Sequence, residues 1–138
     1  MKALYTAGSM SFMPDGPLRG SRILVVEDQI LIALTTQDML RDAGADVVIA
    51  ADASEAASYL SGLHQFDGAV IDLNLGQGYD TSLAAIAVGR GIPMVFATGY
   101  GRVAELPAEF AAIPIVPKPY TGEMLISALL LAMGRPAA

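Results

Sequence analysis

An α/β domain built on a doubly wound, five-stranded parallel sheet is the fold class this sequence predicts. Three observations carry it. Short apolar or β-branched runs alternate with longer helical patterns from Ser21 onward, polar residues close four of those runs, and glycines stand where helices must stop.

The first run, Ile23-Leu24-Val25-Val26, predicts a strand near 22–27, and the pattern after it predicts a helix near 29–43 closed by Gly44. A strand near 46–50 and a helix near 53–61 follow. Ala69-Val70-Ile71 marks a third strand near 67–72, then come a helix near 80–90 and a strand near 92–97. Gly99, Gly101 and Pro107 punctuate the interval from Thr98 to Ile113, so the fourth helix, due there, is expected to be short or mobile. A last strand near 113–116 and a helix near 121–133, closed by Gly134 and Pro136, complete the domain.

Residues 1–20 carry Gly8, Pro14, Gly16, Pro17 and Gly20 among Ser and Met, which favours a flexible N-terminal tail; Leu4, Tyr5 and Phe12 could dock on the domain or on a partner. The domain then spans 21–134, and 135–138 form a C-terminal tail.

Composition narrows the function classes. With 54% hydrophobic and 16% charged residues, the 138-residue chain can bury a core and is neither disordered nor of low complexity. Its net charge of −6 without a Lys/Arg cluster argues against a nucleic-acid partner, since phosphate backbones need grouped cations. No cysteine is present, so thiolate chemistry is excluded. The short stretch after Lys2 is too brief for a secretory segment and no apolar run approaches membrane-spanning length, so a cytoplasmic protein with no membrane partner is expected.

Sheets of this kind collect ligands beyond the carboxyl ends of their strands. The polar residues there are Glu27 and Asp28, Asp72, Thr98 and Lys118. Three carboxylates at close quarters repel one another and call for protons, a cation or a metal. Asp72 can act as a nucleophile toward phosphorus if the charge on the equatorial oxygens is neutralised. Glu27, Asp28 and Asp72 offer hard oxygen ligands suited to Mg²⁺, and Lys118 and Thr98 can hold phosphoryl oxygens. Taken singly these residues have plainer roles: Glu27-Asp28 as a helix cap, Lys118 as a surface lysine, Thr98 as a turn hydroxyl. His64 has no nearby Cys or second His and suits a surface loop.

The ordered set Glu27-Asp28, Asp72 at a strand end, Thr98 and Lys118-Pro119 resembles the receiver domain of two-component response regulators, over roughly residues 20–134. The resemblance implies a flavodoxin-like fold with strand order 2-1-3-4-5. It implies that Asp72 accepts a phosphoryl group from a sensor histidine kinase or phosphotransfer protein, with Thr98 and Lys118 on the phosphoryl oxygens. It further implies Mg²⁺ held by Glu27, Asp28, Asp72 and the backbone carbonyl of Asn74, a Lys118-Pro119 bond of the cis form, and Mg²⁺-dependent self-phosphorylation and autodephosphorylation as the only chemistry.

The string Pro93-Met94-Val95-Phe96-Ala97-Thr98-Gly99-Tyr100 is similar to that of the "FAT GUY" single-domain regulators, which implies kinase partners in general stress-response circuits. With no further segment after Ala138, output is expected through protein contacts or as a phosphate sink. Asn74 and Tyr100, two residues beyond Asp72 and Thr98, flank the path of the hydrolytic water in receivers.

Two positions depart from the commoner receiver pattern. Ile115 replaces the usual Tyr or Phe, and Gly76, with Gly78, replaces a proline-bearing loop. Two other readings stand beside this one: a phosphate-independent binding module, and a haloacid dehalogenase-type phosphatase. The second is disfavoured because Asn74, not an acid, follows the candidate nucleophile by two residues. On the first helix, Ile32, Thr35, Thr36, Met39, Leu40 and Ala43 form a stripe expected to face the sheet, leaving Ile30, Leu31 and Leu34 as a candidate kinase-docking patch.

Overall fold

The computed structural model describes residues 16–74, 81–99 and 106–136. The expectations placed on Leu4, Tyr5, Phe12, Gly76, Gly78 and Tyr100 lie outside the described residues.

Five strands, β1 (Arg22–Val26), β2 (Asp46–Ala50), β3 (Gly68–Asp72), β4 (Met94–Thr98) and β5 (Ile115–Pro117), form one parallel sheet in the order β2-β1-β3-β4-β5. The expected strand order is the observed one. Four helices, α1 (Ile30–Asp42), α2 (Ala53–Ser61), α3 (Ser82–Gly89) and α4 (Gly122–Ala132), cover its two faces. β3 and β4 are buried at every position because helices lie on both sides, which is why they read as unbroken apolar runs without alternation.

The period of two still sorts the cores. Leu24, Val26, Ala69, Ile71 and Phe96 meet α2 and α3 through Leu60 and Leu83. Ile23, Val25, Val70, Val95 and Val116 meet α1 and α4 through Leu40, Leu125 and Leu129. In the interval after β4, the described residues contain only a 3-10 turn, Ala108–Phe110, in line with the weak helix expected there. Phe110 is buried from that turn, edge-on to Phe96 with ring centroids 6.4 Å apart. Ile115 is half-buried against the same core.

Helix ends follow local chemistry. Asp52 accepts the Glu55 N–H at 2.8 Å and Thr121 the Met124 N–H at 3.1 Å, capping α2 and α4. Gly44 and Gly134 stop α1 and α4 at φ +98° and +70°, the left-handed region the sequence assigned them.

Residues 16–20, placed by sequence in the N-terminal tail, pack onto the domain. Leu18 is 0% exposed, its N–H donates to the Ala43 carbonyl at 2.8 Å, and its own carbonyl accepts the Ser21 N–H at 2.9 Å. A side chain at Gly16 would overlap the Ala43 carbonyl, so glycine is required by close approach. Among the described residues, the packed unit includes residues 16–20 as well as the domain expected from Ser21 onward.

On α1, Ala33, Thr36 and Leu40 are the buried residues, and Thr35 is exposed with its hydroxyl donating to the Leu31 carbonyl at 2.8 Å. This corrects the expected stripe at one position: Thr35 can satisfy its hydroxyl on its own helix, while the smaller Ala33 fits against the sheet. Ile30, Leu31 and Leu34 are exposed as expected, Leu31 at 77%.

Candidate functional site

Sheet register alone aligns the site. Val26 pairs with Ile71, Asp72 with Ala97, and Thr98 with Pro117, so the carboxyl ends of β1, β3, β4 and β5 finish at one level. Three backbone bonds extend that level past the strands: Glu27 N–H to the Ala50 carbonyl (3.1 Å), Leu73 N–H to Ala97 (2.9 Å) and Lys118 N–H to Thr98 (2.7 Å).

Strand alternation puts Asp72 on the same side as Val70, facing the α1 and α4 layer, and Thr98 on the side of Phe96. Glu27 and Asp72 are buried at 3% and 4% exposure, whereas Asp28 is exposed. Lys118 reaches between the two buried acids, with Nζ 2.8 Å from Glu27 Oε1 and 2.9 Å from Asp72 Oδ2.

The remaining carboxylate oxygens also have donors: Glu27 Oε2 accepts the Gln29 N–H at 3.2 Å and Asp72 Oδ1 the Asn74 N–H at 2.9 Å. Such charge-assisted bonds hold both carboxylates in fixed orientations. The helix-cap role for Glu27-Asp28 does not hold: Gln29 is the N-cap of α1, and the first turn contains no acid.

Electrostatics follow from burial. Burial pushes Glu27 above the usual carboxylate range, the Lys118 hydrogen bond opposing and the charge of Asp72 adding to the push. Burial alone would lower Lys118, but its bonds to Glu27 and Asp72 and their charges outweigh it and hold the ammonium above the usual lysine range. Burial likewise raises the Tyr120 phenol, so it stays protonated at neutral pH.

Ligand atoms of Glu27, Asp28 and Asp72 all lie within 4.8 Å of one another, close enough to share one metal ion. When ionised, these three carboxylates carry two more negative charges than the single Lys118 ammonium balances, so an oxygen-ligated divalent cation fits both donor set and charge.

A cavity of about 710 Å³ opens over the cluster; Asp28, Leu31, Thr36, Asp72, Lys118 and Tyr120 are among its walls. Asn74 and Gly99 also line it. Thr98, at 2% exposure, gives its carbonyl to the Lys118 N–H at the same strand-end level. His64 sits elsewhere, edge-on to Tyr59 and stacked on Phe66. The Lys118–Pro119 peptide is cis.

One pairing escaped the sequence: Thr36, in the buried face of α1, and Tyr120, after the cis proline, share a hydrogen bond of 2.6 Å. No local pattern signals a contact between residues 84 positions apart.

A parallel α/β sheet in this strand order, with an acid cluster and a lysine at its carboxyl edge, is the architecture of a receiver domain, and known proteins agree. A response regulator receiver protein from Sinorhizobium medicae WSM419 matches with TM-score 0.69 and 25% identity, over 85% of this chain and 97% of that one. SdrG from Sphingomonas melonis Fr1 matches with TM-score 0.68 and 32% identity, over 82% and 95%. The transcriptional regulatory protein PdtaR of Mycobacterium tuberculosis is 30% identical over 118 residues, 83% of this chain and 57% of that protein. This chain thus spans little more than half the length of that curated relative. No protein-family model matches the chain. The chain belongs to the response regulator receiver family of two-component signalling.

Proposed function

We propose that the chain accepts a phosphoryl group on Asp72 from a sensor histidine kinase or phosphotransfer protein and signals through protein contacts or by drawing off phosphate. The observation that carries this reading is Lys118 Nζ, held between Glu27 and Asp72 at the aligned ends of three strands. A cation placed there is in reach of charge that develops on a group bonded to Asp72.

In the proposed step an Asp72 oxygen attacks phosphorus, the P–N bond of the donor phosphohistidine breaks, and the leaving imidazole takes a proton. Lys118 exchanges its bond to Asp72 for one to a phosphoryl oxygen while keeping Glu27, and the Thr98 hydroxyl meets a second oxygen. The Asn74 N–H fixes Asp72 Oδ1, which leaves the other oxygen to react. Glu27, Asp28, Asp72 and the Asn74 carbonyl would hold Mg²⁺, which when bound neutralises charge on the phosphoryl oxygens. Autodephosphorylation by water is the turnover proposed for this set, with Asn74 lining the cavity over Asp72.

The string at residues 93–100 supports placement in the "FAT GUY" subgroup, with a sensor kinase of a general stress-response circuit as partner and a cytoplasmic location for this chain. Among the described residues no helix is long and apolar enough to cross a membrane. Direct nucleic-acid contact is no part of the proposal, because the net charge is −6 and the chain has no run of cations.

Incubation with a small phosphodonor tests the proposal. Wild-type protein should incorporate phosphate only with Mg²⁺ and Asp72→Asn should incorporate none; equal incorporation in Asp72→Asn would refute it.

A further inference from the structure

Lys118 needs aiming. Its four-carbon stem is free to take many rotamers, and the backbone bond from its N–H to the Thr98 carbonyl fixes where the stem starts but not the turn that follows. That turn, residues 118–121, runs from the end of β5 to the Thr121 cap of α4. Between those ends, a side-chain tether leads sideways: the Tyr120 hydroxyl bonded to Thr36.

Thr36 is 1% exposed, so its hydroxyl needs an internal partner, and Tyr120 is one. The tether joins two elements that matter to the site. Glu27 stands three residues before α1, with Oε2 on the Gln29 N–H at the start of that helix, while Lys118 stands two residues before Tyr120. Fixing Tyr120 to α1 therefore fixes the element bearing the cation against the element bearing one of its acids. Tyr120, Met39 of α1 and Ile126 of α4 are each half-buried against the same core, and both Tyr120 and Lys118 wall the same cavity.

We propose that Tyr120, through its hydrogen bond to Thr36, is a positioning residue that holds Lys118 Nζ between Glu27 and Asp72. This rests on the phosphoryl-acceptor reading, and the test separates the two.

The discriminating variants are Thr36→Val, Tyr120→Phe and both together. Each single change strands one polar group, whereas the double change removes both partners and leaves the core nearly as stable as it began. Phosphorylation by a small phosphodonor should slow about threefold to tenfold in each single variant, the range one hydrogen bond is worth. The double variant should melt close to wild type and yet stay as slow as the singles. Thr36→Ser, which keeps the hydroxyl, should restore the rate.

The second readout needs no phosphoryl chemistry: NMR of the Lys118 ammonium, whose protons should exchange slowly with water in wild type and quickly in Tyr120→Phe. If wild type takes up no phosphate but the ammonium signal responds, the acceptor reading fails and the positioning role stands. A double variant that regains wild-type rate along with its stability would overturn the positioning role. So would an ammonium signal unchanged by Tyr120→Phe.

Discussion

Lys118 Nζ lies 2.9 Å from Asp72 Oδ2, although β5 and β3 are separated in the sheet by β4. The side chain crosses the end of the intervening strand and still reaches Glu27 at 2.8 Å. Removing it should expose how much of the site depends on one charge. Lys118→Ala leaves two buried carboxylates facing each other without a counter-charge, and loss of one partner of a buried pair costs about 3 kcal/mol. Urea denaturation should show that loss in metal-free buffer and partial recovery on adding Mg²⁺, because a ligand bound only by the folded state stabilises it. Phosphorylation should fall roughly a hundredfold, as when an enzyme loses one donor to developing anionic charge. A variant as stable and as reactive as wild type would contradict the electrostatic account.

The pH dependence has a definite sign for each group. Glu27 binds its proton more tightly folded than unfolded, so its contribution to stability is greatest below the ordinary value of 4.5 and declines as pH rises through its raised pKa. Lys118, also raised, contributes stability that is complete below 10.5 and is lost as pH rises through its folded value. The difference in unfolding free energy between wild type and Glu27→Gln, followed against pH without metal, should therefore move against wild type above pH 4.5. A difference that moves in favour of wild type there would show that Glu27 is not raised.

Metal affinity should follow the same proton. Because a ligating carboxylate must be ionised, Mg²⁺-induced stabilisation should weaken as pH falls through the raised range of Glu27, and Asp28→Ala should weaken it at all pH values. Thermal shifts measured with and without Mg²⁺ across pH give both results.

Leu18 offers a test remote from the site. Truncation of a fully buried leucine costs about 2 to 5 kcal/mol, so Leu18→Ala should lower the denaturation midpoint clearly while leaving small-donor phosphorylation intact. A loss below about 0.5 kcal/mol, the scale of surface changes, would place residues 16–20 outside the folded unit.

Leu31 separates partner from chemistry. At 77% exposure and lining the cavity, it belongs to the candidate docking patch, so Leu31→Glu should slow transfer from a cognate kinase roughly tenfold, as loss of an interface anchor does. The rate with a small phosphodonor should not change. Equal slowing of both would move Leu31 from the docking surface into the site.

The strands and the acid cluster were legible because Glu27, Asp72 and Lys118 interrupt apolar runs, and in a parallel sheet such interruptions fall at one edge. Boundaries drifted by a residue or two: Thr98 ends β4 where sequence set it just beyond, and Glu27 follows β1 where sequence set it inside. Leu18 was hidden by its neighbours, since one anchoring leucine among Gly and Pro reads as linker. Thr35 was misplaced, and Ala33 left out of the stripe, because the period fixes a face but not which small residue the sheet admits. The Thr36–Tyr120 bond left no trace, for a tertiary hydrogen bond between distant residues has no sequence period.

In the proposed function Asp72 carries the phosphoryl group. Borohydride reduces an acyl phosphate to the alcohol, so treating the phosphorylated protein and mapping its peptides by mass spectrometry locates the modified residue. Homoserine is expected at position 72, formed only when phosphodonor and Mg²⁺ are both present. Reduction at another carboxylate, or none under those conditions, would contradict it.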